Sequence, residues 1–533
     1  MSGASLPILL PKAFPYRTLP SLLRRQAMSS PARVALIASD STGVERLVTY
    51  GELIAQAERF AAGLKILRAG QQEKIGILAD NRAGYEASVT LLACILAGFI
   101  AVPINARFSR EEVDHAATLT NLRFLIYDAR LEETIGDIRD RVASLGILIR
   151  IGPGADGRVA RSWDAVAAGP SVKGLFDVSV NESDISEILF TSGTTARPKA
   201  AMLTTSSGVY ASLAYAGAVG LKAGDVYQSF IPFFTTAAIR CVLLPAWAVG
   251  ATAVLDSVLD IEAILDRIAR VRCTVYVGVP TFCILLLDAF DANRHDVSSL
   301  RIINAGGSPL QPETTQRLLA MFPRIDVRQT YGGTEGGPSG TTLIGKDALR
   351  KLGSAGRCWA LTELRIVDDE DREVSTGELG EIVLRSPGIF AGYYQNDMAS
   401  RETLRGGWMH SGDIGRVDEE GYLYVVDRKK DMVIRGGHNI GSFEVETVLQ
   451  RHPRVSEVAV VGIPHSKLGE DLLAVVKTKT GEEVSGAELT EFCAGKLSDY
   501  KTPRHFVFVA EFPRSAMGKI MKRELRQTYL GYK

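Results

Sequence analysis

Short apolar runs alternate with segments of helix length from residue 74 to residue 304, and this alternation most narrows the folds open to the chain. The strand-like runs fall at 74–79, 100–104, 124–127, 147–151, 226–231, 274–279 and 301–304. Strands separated by amphipathic helices bury a sheet between helical layers, so an α/β architecture is predicted. After about Gly353 the pattern changes to short strands joined by polar turns, at 362–367, 381–385 and 422–426, which predicts a small β-barrel-like subdomain. The charged run Asp427-Arg428-Lys429-Lys430-Asp431 reads as a domain boundary or as a solvated face. Beyond it, strands at 455–462 and 472–477 sit in a stretch of about 100 residues, the size of a small α+β domain. The expected organisation is a large N-terminal domain over 1–429, made of layered α/β sheets with the β-rich subdomain, followed by a C-terminal domain over 430–533.

With 61 Lys and Arg against 61 Asp and Glu in 533 residues, the formal net charge is zero. No global field steers the chain to nucleic acid or to an anionic membrane, so any anion site must be local. Cys94, Cys241, Cys273, Cys283, Cys358 and Cys493 are scattered without Cys-x-x-Cys spacing, which fits a reducing, cytoplasmic compartment better than a metal or redox site. The longest apolar stretches, at 91–104 and 241–255, are too short or too interrupted to span a bilayer, and residues 6–10 lack the shape of a signal peptide. A globular enzyme without a targeting segment is expected.

The run Ile188-Leu189-Phe190 breaks into Thr191-Ser192-Gly193-Thr194-Thr195-Ala196-Arg197-Pro198-Lys199. Hydroxyls, backbone N–H groups and one lysine after a buried strand suit a polyphosphate. The P-loop spacing is absent, because Pro198 stands where a glycine would precede the lysine. On these residues alone an ordinary turn is the commoner reading, by about two to one.

Further along come Tyr331-Gly332-Gly333-Thr334-Glu335, Trp408-Met409-His410-Ser411-Gly412-Asp413, Asp427-Arg428 and Pro513-Arg514-Ser515-Ala516-Met517-Gly518-Lys519-Ile520. With the 191–199 loop, these resemble in order and spacing the core motifs of the adenylate-forming superfamily, which includes acyl-CoA synthetases, peptide-synthetase adenylation domains and firefly-type luciferases. The likeness runs from Thr49-Tyr50-Gly51-Glu52-Leu53 to Lys519.

The resemblance implies that Thr191, Ser192, Gly193, Thr194, Thr195 and Lys199 hold the β- and γ-phosphates of ATP, that Thr334 contacts the α-phosphate, and that Glu335 helps hold Mg²⁺. One carboxylate suffices for a hard cation that takes its other oxygens from phosphates and water. It further implies that Asp413 and Arg428 bind the ribose, and that Gly306, Gly307, Ser308, Tyr331 and Gly332 form the adenine slot, with a core tyrosine as the alternative for Tyr331. Lys519 is the implied catalytic cation, reaching from a mobile C-terminal domain to the reacting carboxylate, unless it is a surface lysine of a basic tail with Lys522 and Arg523. Lys430 takes the hinge position. Gly436, Gly437 and His438 resemble the element lining the tunnel for CoA, with Glu444 and Glu446 beyond.

Departures from the pattern also matter. Ala196 and Ala200 replace glycines, at a cost of about 1–2 kcal/mol if either position needs φ > 0. His438 replaces a glutamate common in fatty-acyl members. Gly152-Pro153-Gly154-Ala155-Asp156-Gly157 formally matches a dinucleotide fingerprint but reads as a surface turn. The implied acyl pocket comprises Phe234, Thr235, Ala237, Arg240, Cys241, Val279 and Gly333. Small residues at Thr235 and Ala237 point to a roomy pocket, and the missing aspartate near Thr235 argues against an amino-acid substrate. Arg240 faces either the pocket, where it would pair a second carboxylate, or solvent, the reading favoured by arginine statistics.

The expected activity is an AMP-forming acid:CoA ligase for a medium- or long-chain fatty, or bulky hydrophobic, acid. An acyl-AMP ligase loading a carrier protein and a disabled nucleotide- or acyl-binding homologue are the alternatives. ATP, Mg²⁺ and CoA are the cofactors and co-substrates implied. The expected partners are small molecules, with no nucleic acid and no membrane span, and a homodimer is left open.

Overall fold

The computed structural model describes residues 14–154, 160–170, 179–191, 198–514 and 520–532. The chain divides into two compact units. The first comprises Met1–Leu364 and Leu384–Ser411, and the second Arg365–Val383 and Gly412–Lys533.

The first unit holds two large sheets. In one, Arg357–Cys358, Gly340–Leu343, Asp326–Gly332, Ile302–Gly306, Val275–Gly278, Val226–Ser229, Thr252–Leu255, Val34–Ser39 and Glu45–Thr49 lie side by side. The strands from Asp326–Gly332 to Val34–Ser39 run parallel, with antiparallel strands at both edges. In the other, the order is Gly392–Tyr393, Lys199–Thr204, Ile185–Thr191, Ile100–Ile104, Lys74–Leu78, Phe124–Asp128, Ile147–Ile151 and Arg161–Ser162. The runs expected from alternation are strands here, shifted by two residues or fewer at their ends. Several are buried along their whole length, as at Ile100–Ile104 and Phe124–Asp128.

Helix starts follow local chemistry. Thr49 caps the helix Tyr50–Ile66, accepting from the Glu52 backbone N–H while the Glu52 carboxylate accepts from the Thr49 N–H at 2.9 Å. The Thr49–Leu53 motif is therefore a capping box, stabilising a helix start rather than touching a ligand. Ser109 and Glu112 repeat the device at Arg110–Leu119. The Gly152-Pro153-Gly154 decoy begins as a turn, with Gly152 and Gly154 both at positive φ; its remaining positions lie outside the described residues.

Arg365–Val383 and Gly412–Lys533 form the second unit. It contains most of a four-stranded sheet ordered Glu363–Val367, Gly380–Arg385, Met409–Val417 and Leu423–Arg428. This corrects the barrel-like expectation: the described strands follow an open path, and four are too few to close around side chains. A five-stranded sheet follows, built on the antiparallel pair Val455–His465 and Gly469–Thr478, with His505–Phe508 added in parallel. One of its faces packs Val433, Val445, Leu449, Val460, Leu472 and Leu489, and the other Val461, Leu473, Val475, Phe512 and Leu525. The six cysteines are free thiols. No helix among the described residues is long and apolar enough to cross a membrane.

Candidate active site

The parallel strands Val226–Ser229, Val275–Gly278, Ile302–Gly306 and Asp326–Gly332 are neighbours and end along one sheet edge. The segments leaving that edge carry Phe234, Thr235 and Ala237, then Val279, then Gly307 and Ser308, then Gly333, Thr334 and Glu335. Open α/β sheets bind ligands outside the carboxyl ends of their strands, so residues far apart in sequence meet where a ligand is expected. Gly306 lies opposite Thr330 in register, which sets Gly307 and Ser308 beside Tyr331. Tyr331 is half-buried in its strand rather than enclosed in the core.

The strands that flank the expected phosphate loop form a hairpin. Thr191 and Lys199 are direct partners across the antiparallel pair Ile185–Thr191 and Lys199–Thr204, so both ends of the connecting loop are fixed. Ser192, Gly193, Thr194, Thr195 and Ala196 lie outside the described residues. The Thr191 hydroxyl is buried without a hydrogen-bond partner among the described residues. Ala200 lies in extended strand opposite Phe190, so the left-handed penalty considered for it does not arise.

Three contacts tie this hairpin to the Tyr331–Glu335 segment. Gly392–Tyr393 pairs with Lys199–Thr204, which brings the Lys199 ammonium to 4.8 Å from the centre of the Tyr393 ring. The Tyr393 hydroxyl donates to Glu335 Oε1 at 2.7 Å, and the Phe390 N–H donates to the Glu335 carbonyl at 2.9 Å. Burial, and then the charge of Glu335, hold the Tyr393 phenol well above the ordinary tyrosine value, so it stays a donor. Gly337 has φ +76°, and a Cβ there would lie 1.6 Å from the Gly388 carbonyl oxygen, so only glycine permits this approach. Thr334 shares a 2.8 Å hydroxyl contact with Thr236. Tyr393 and Thr236 escaped the sequence reading; a Gly-Tyr-Tyr run after an apolar strand was the available signal.

The acyl side brings one clear correction. Arg240 faces neither pocket nor solvent: its side chain is 0% exposed and pairs at 2.6 Å with Glu187, also 0% exposed. Ser207, the Thr204 carbonyl and the Gly337 carbonyl accept from its terminal N–H groups, while its Nε has no hydrogen-bond partner among the described residues. Arg240 starts from the π-helical turn Ala237–Leu243 and Glu187 from the strand Ile185–Thr191, so the pair links parts of both sheets. Thr235 uses its hydroxyl locally, donating to the Pro232 carbonyl and accepting from the Ala238 N–H. Phe234 and Val279 are buried, while Cys241 is half-buried.

Asn81, another residue that sequence reasoning missed, holds this segment from below. Its oxygen accepts from the Phe233 N–H at 2.8 Å, and its amide donates to the carbonyls of Ile231 and Asp256. The Asp256 side chain is buried among Gln228, Tyr276 and Arg267. Burial raises its carboxyl from 3.8 to about 6, against the opposing pull of Arg267. The folded protein therefore holds this proton more tightly than the unfolded chain, and the contribution to stability falls as pH rises from about 4 to about 6. Denaturant unfolding of Asp256→Asn and wild type should show their stability difference moving in favour of the variant by up to about 3 kcal/mol between pH 4 and 7. Parallel pH curves would remove Asp256 as the cause.

In the second unit, Asp413 and Arg428 are register partners on neighbouring antiparallel strands, with an ion-pair separation of 3.6 Å. Asp427 is buried and accepts from the backbone and hydroxyl of Ser442, and Lys430 is exposed just beyond. Gly436 and Gly437 form the two-residue turn of a hairpin between Val433–Arg435 and His438–Ile440, with φ of 58° and 84°. Such a turn requires left-handed backbone at both positions, a local reason for both glycines. His438 stacks on Tyr500 at 4.4 Å. Glu444 pairs with Lys501, whereas Glu446 is enclosed with Lys522 at 2.7 Å. Lys522 is thus a packing cation and not part of a basic tail. Lys519 lies outside the described residues; Arg514 and Ile520, on either side of it, form an antiparallel bridge.

Residues 23–394 match the family described as AMP-binding enzyme, and residues 444–519 match the AMP-binding enzyme C-terminal domain. The chain belongs to the AMP-binding enzyme family. Within the adenylate-forming superfamily it is of the AMP-forming acyl-CoA synthetase type, an acid–CoA ligase. It is 33% identical to a feruloyl-CoA synthase of an Amycolatopsis species over 95% of this chain and 100% of that one. It is also 33% identical to the indoleacetate–CoA ligase of Aromatoleum aromaticum, over 91% and 93% of the two chains. Among solved structures, an anthranilate CoA ligase in complex with anthranoyl-AMP aligns with a TM-score of 0.88 and 27% identity, covering 99% of both chains.

The site of this AMP-binding enzyme fits a phosphate-bound Mg²⁺ better than a metal held by protein alone. No group of three or more His, Cys, Asp or Glu side chains among the described residues is placed to hold an ion. Glu335 is a single hard-oxygen donor with one oxygen engaged by Tyr393. Such a donor set suits a cation that keeps water and substrate oxygens as its other ligands.

Proposed function

We propose that this AMP-binding enzyme activates an uncharged-tailed, hydrophobic carboxylic acid, aryl or fatty, and transfers its acyl group to CoA. In the first step a carboxylate oxygen attacks the α-phosphorus of ATP, and the bond to pyrophosphate breaks. In the second, the CoA sulfur attacks the acyl carbon, AMP leaves and the thiol proton passes to solvent.

Thr191 and Lys199, with the loop between them, hold the β- and γ-phosphates, and Thr334 contacts the α-phosphate. Glu335 holds Mg²⁺, which supplies charge neutralisation on the phosphates when bound. Gly306, Gly307, Ser308, Tyr331 and Gly332 take the adenine. Asp413 and Arg428 take the ribose, Lys430 serves as the hinge, Gly436, Gly437 and His438 contact CoA, and Lys519 acts on the reacting carboxylate. Phe234, Thr235, Ala237, Cys241, Val279 and Gly333 line the acyl pocket. A cytoplasmic location, and division of labour between residues 1–429 and 430–533, complete the reading.

The observation that carries the substrate class is the Arg240–Glu187 pair. With its charge matched inside the protein, Arg240 offers nothing to a second carboxylate. The relatives named feruloyl-CoA synthase and indoleacetate–CoA ligase support a bulky hydrophobic acid.

The test is pyrophosphate release with ATP and Mg²⁺ across fatty, aryl, alicyclic and dicarboxylic acids, with and without CoA. Turnover with one hydrophobic class, raised by CoA, is expected. A preference for dicarboxylic acids would overturn the substrate class. Release that CoA leaves unchanged, with no thioester formed, would transfer the second step to another thiol.

A further inference from the structure

Tyr393 touches both halves of the phosphate machinery with different parts of one side chain. Its ring lies under the Lys199 ammonium at 4.8 Å, and its hydroxyl donates to Glu335 Oε1 at 2.7 Å. The residue is 5% exposed, and its own position is fixed on several sides. Its strand pairs with Lys199–Thr204, its N–H donates to the Ser400 hydroxyl at 2.8 Å, and its ring meets Phe390 edge-on at 4.9 Å. Phe390 in turn holds the Glu335 backbone. A lysine on a flexible stem and a carboxylate on a glycine-flanked segment both lack rigidity of their own. One packed aromatic ring supplies it to both.

We propose that Tyr393 is a positioning residue for nucleotide activation, aiming the Glu335 carboxylate at Mg²⁺ through its hydroxyl and seating the Lys199 ammonium on its ring. The inference rests on the reading of Glu335 as the Mg²⁺ ligand. The two functions separate by chemistry. Phenylalanine keeps the ring and removes only the hydroxyl, while leucine removes both.

Outer partners of metal ligands typically influence metal affinity by about 10–100-fold. The Lys199 end of the contact is half-exposed, and a cation on a ring at such a site gains at least about two- to fivefold in binding.

The experiment is titration calorimetry of ATP binding to the full-length protein without acid or CoA, repeated with and without Mg²⁺. Wild type, Tyr393→Phe, Tyr393→Leu and Glu335→Gln are compared, each checked for a native unfolding transition. Tyr393→Phe should lose about tenfold of the tightening that Mg²⁺ confers while its Mg²⁺-free affinity stays at the wild-type value. Tyr393→Leu should also lose about two- to fivefold without Mg²⁺. Wild-type Mg²⁺ dependence in Tyr393→Phe, with Glu335→Gln impaired, overturns the positioning role alone. Wild-type Mg²⁺ dependence in Glu335→Gln overturns the reading of Glu335, and the inference with it. Equal loss by Tyr393→Phe with and without Mg²⁺ assigns Tyr393 to packing and also overturns the proposal.

Discussion

Arg240→Met is expected to lower the unfolding free energy by about 3–5 kcal/mol, because it leaves Glu187 buried without its counter-charge. The Thr204 and Gly337 carbonyls and the Ser207 hydroxyl also lose a donor. Most of the effect comes from the abandoned charge rather than from the net value of the pair, since desolvating both ions offsets much of their attraction. Adding Glu187→Gln should therefore recover part of the loss, and a double-mutant cycle in urea should show coupling of at least about 1 kcal/mol. Additive costs would show that the two side chains act separately. The ratio of turnover on dicarboxylic to monocarboxylic acids should not move in Arg240→Met, provided assays are run well below its lowered melting temperature. A shift in that ratio would return Arg240 to the acyl pocket.

Lys519→Ala should slow acyl-adenylate formation by about 10²–10³-fold, the usual loss when one positioned stabiliser of transition-state charge is removed. Thioester formation from supplied acyl-AMP and CoA should remain close to wild type, because the proposed lysine role belongs to the first half-reaction. Single-turnover measurement of both halves tests this directly. Equal loss in both would exclude a role confined to adenylation. Lys522→Ala serves as the contrasting variant. Its ammonium is paired with Glu446 and Ser442, so it should lower the melting temperature of the second unit instead of acting on one half-reaction.

The candidate motifs were legible because each is local in sequence. The Thr191-to-Lys199 hairpin, the Tyr331–Glu335 segment, and Asp413 with Arg428 each announce themselves by residue type and spacing within a few positions. Strand runs such as 100–104 and 124–127 were equally plain, since a strand buried on both faces is apolar along its length. Barrel closure was not legible, because the number of strands that pair is settled by partners distant in sequence. Arg240 was misjudged for the same reason. An arginine amid Ile239 and Cys241 says nothing about Glu187, more than fifty positions away, until the two strands and the π-helical turn are assembled.

The amino-acid sequence by itself determined the layered α/β class, the order of the motifs along the chain, and membership of the adenylate-forming superfamily. Only the tertiary structure decided which polar groups neutralise one another. It buried Arg240 against Glu187, enclosed Lys522 with Glu446, set Asn81 beneath the Ile231–Phe233 segment, and placed Tyr393 between Lys199 and Glu335. The physical reason is range. Propensity, capping and turn chemistry act over a few residues and are written in order along the chain. Charge pairing and desolvation depend on distance in space, which the packing of the sheets alone defines.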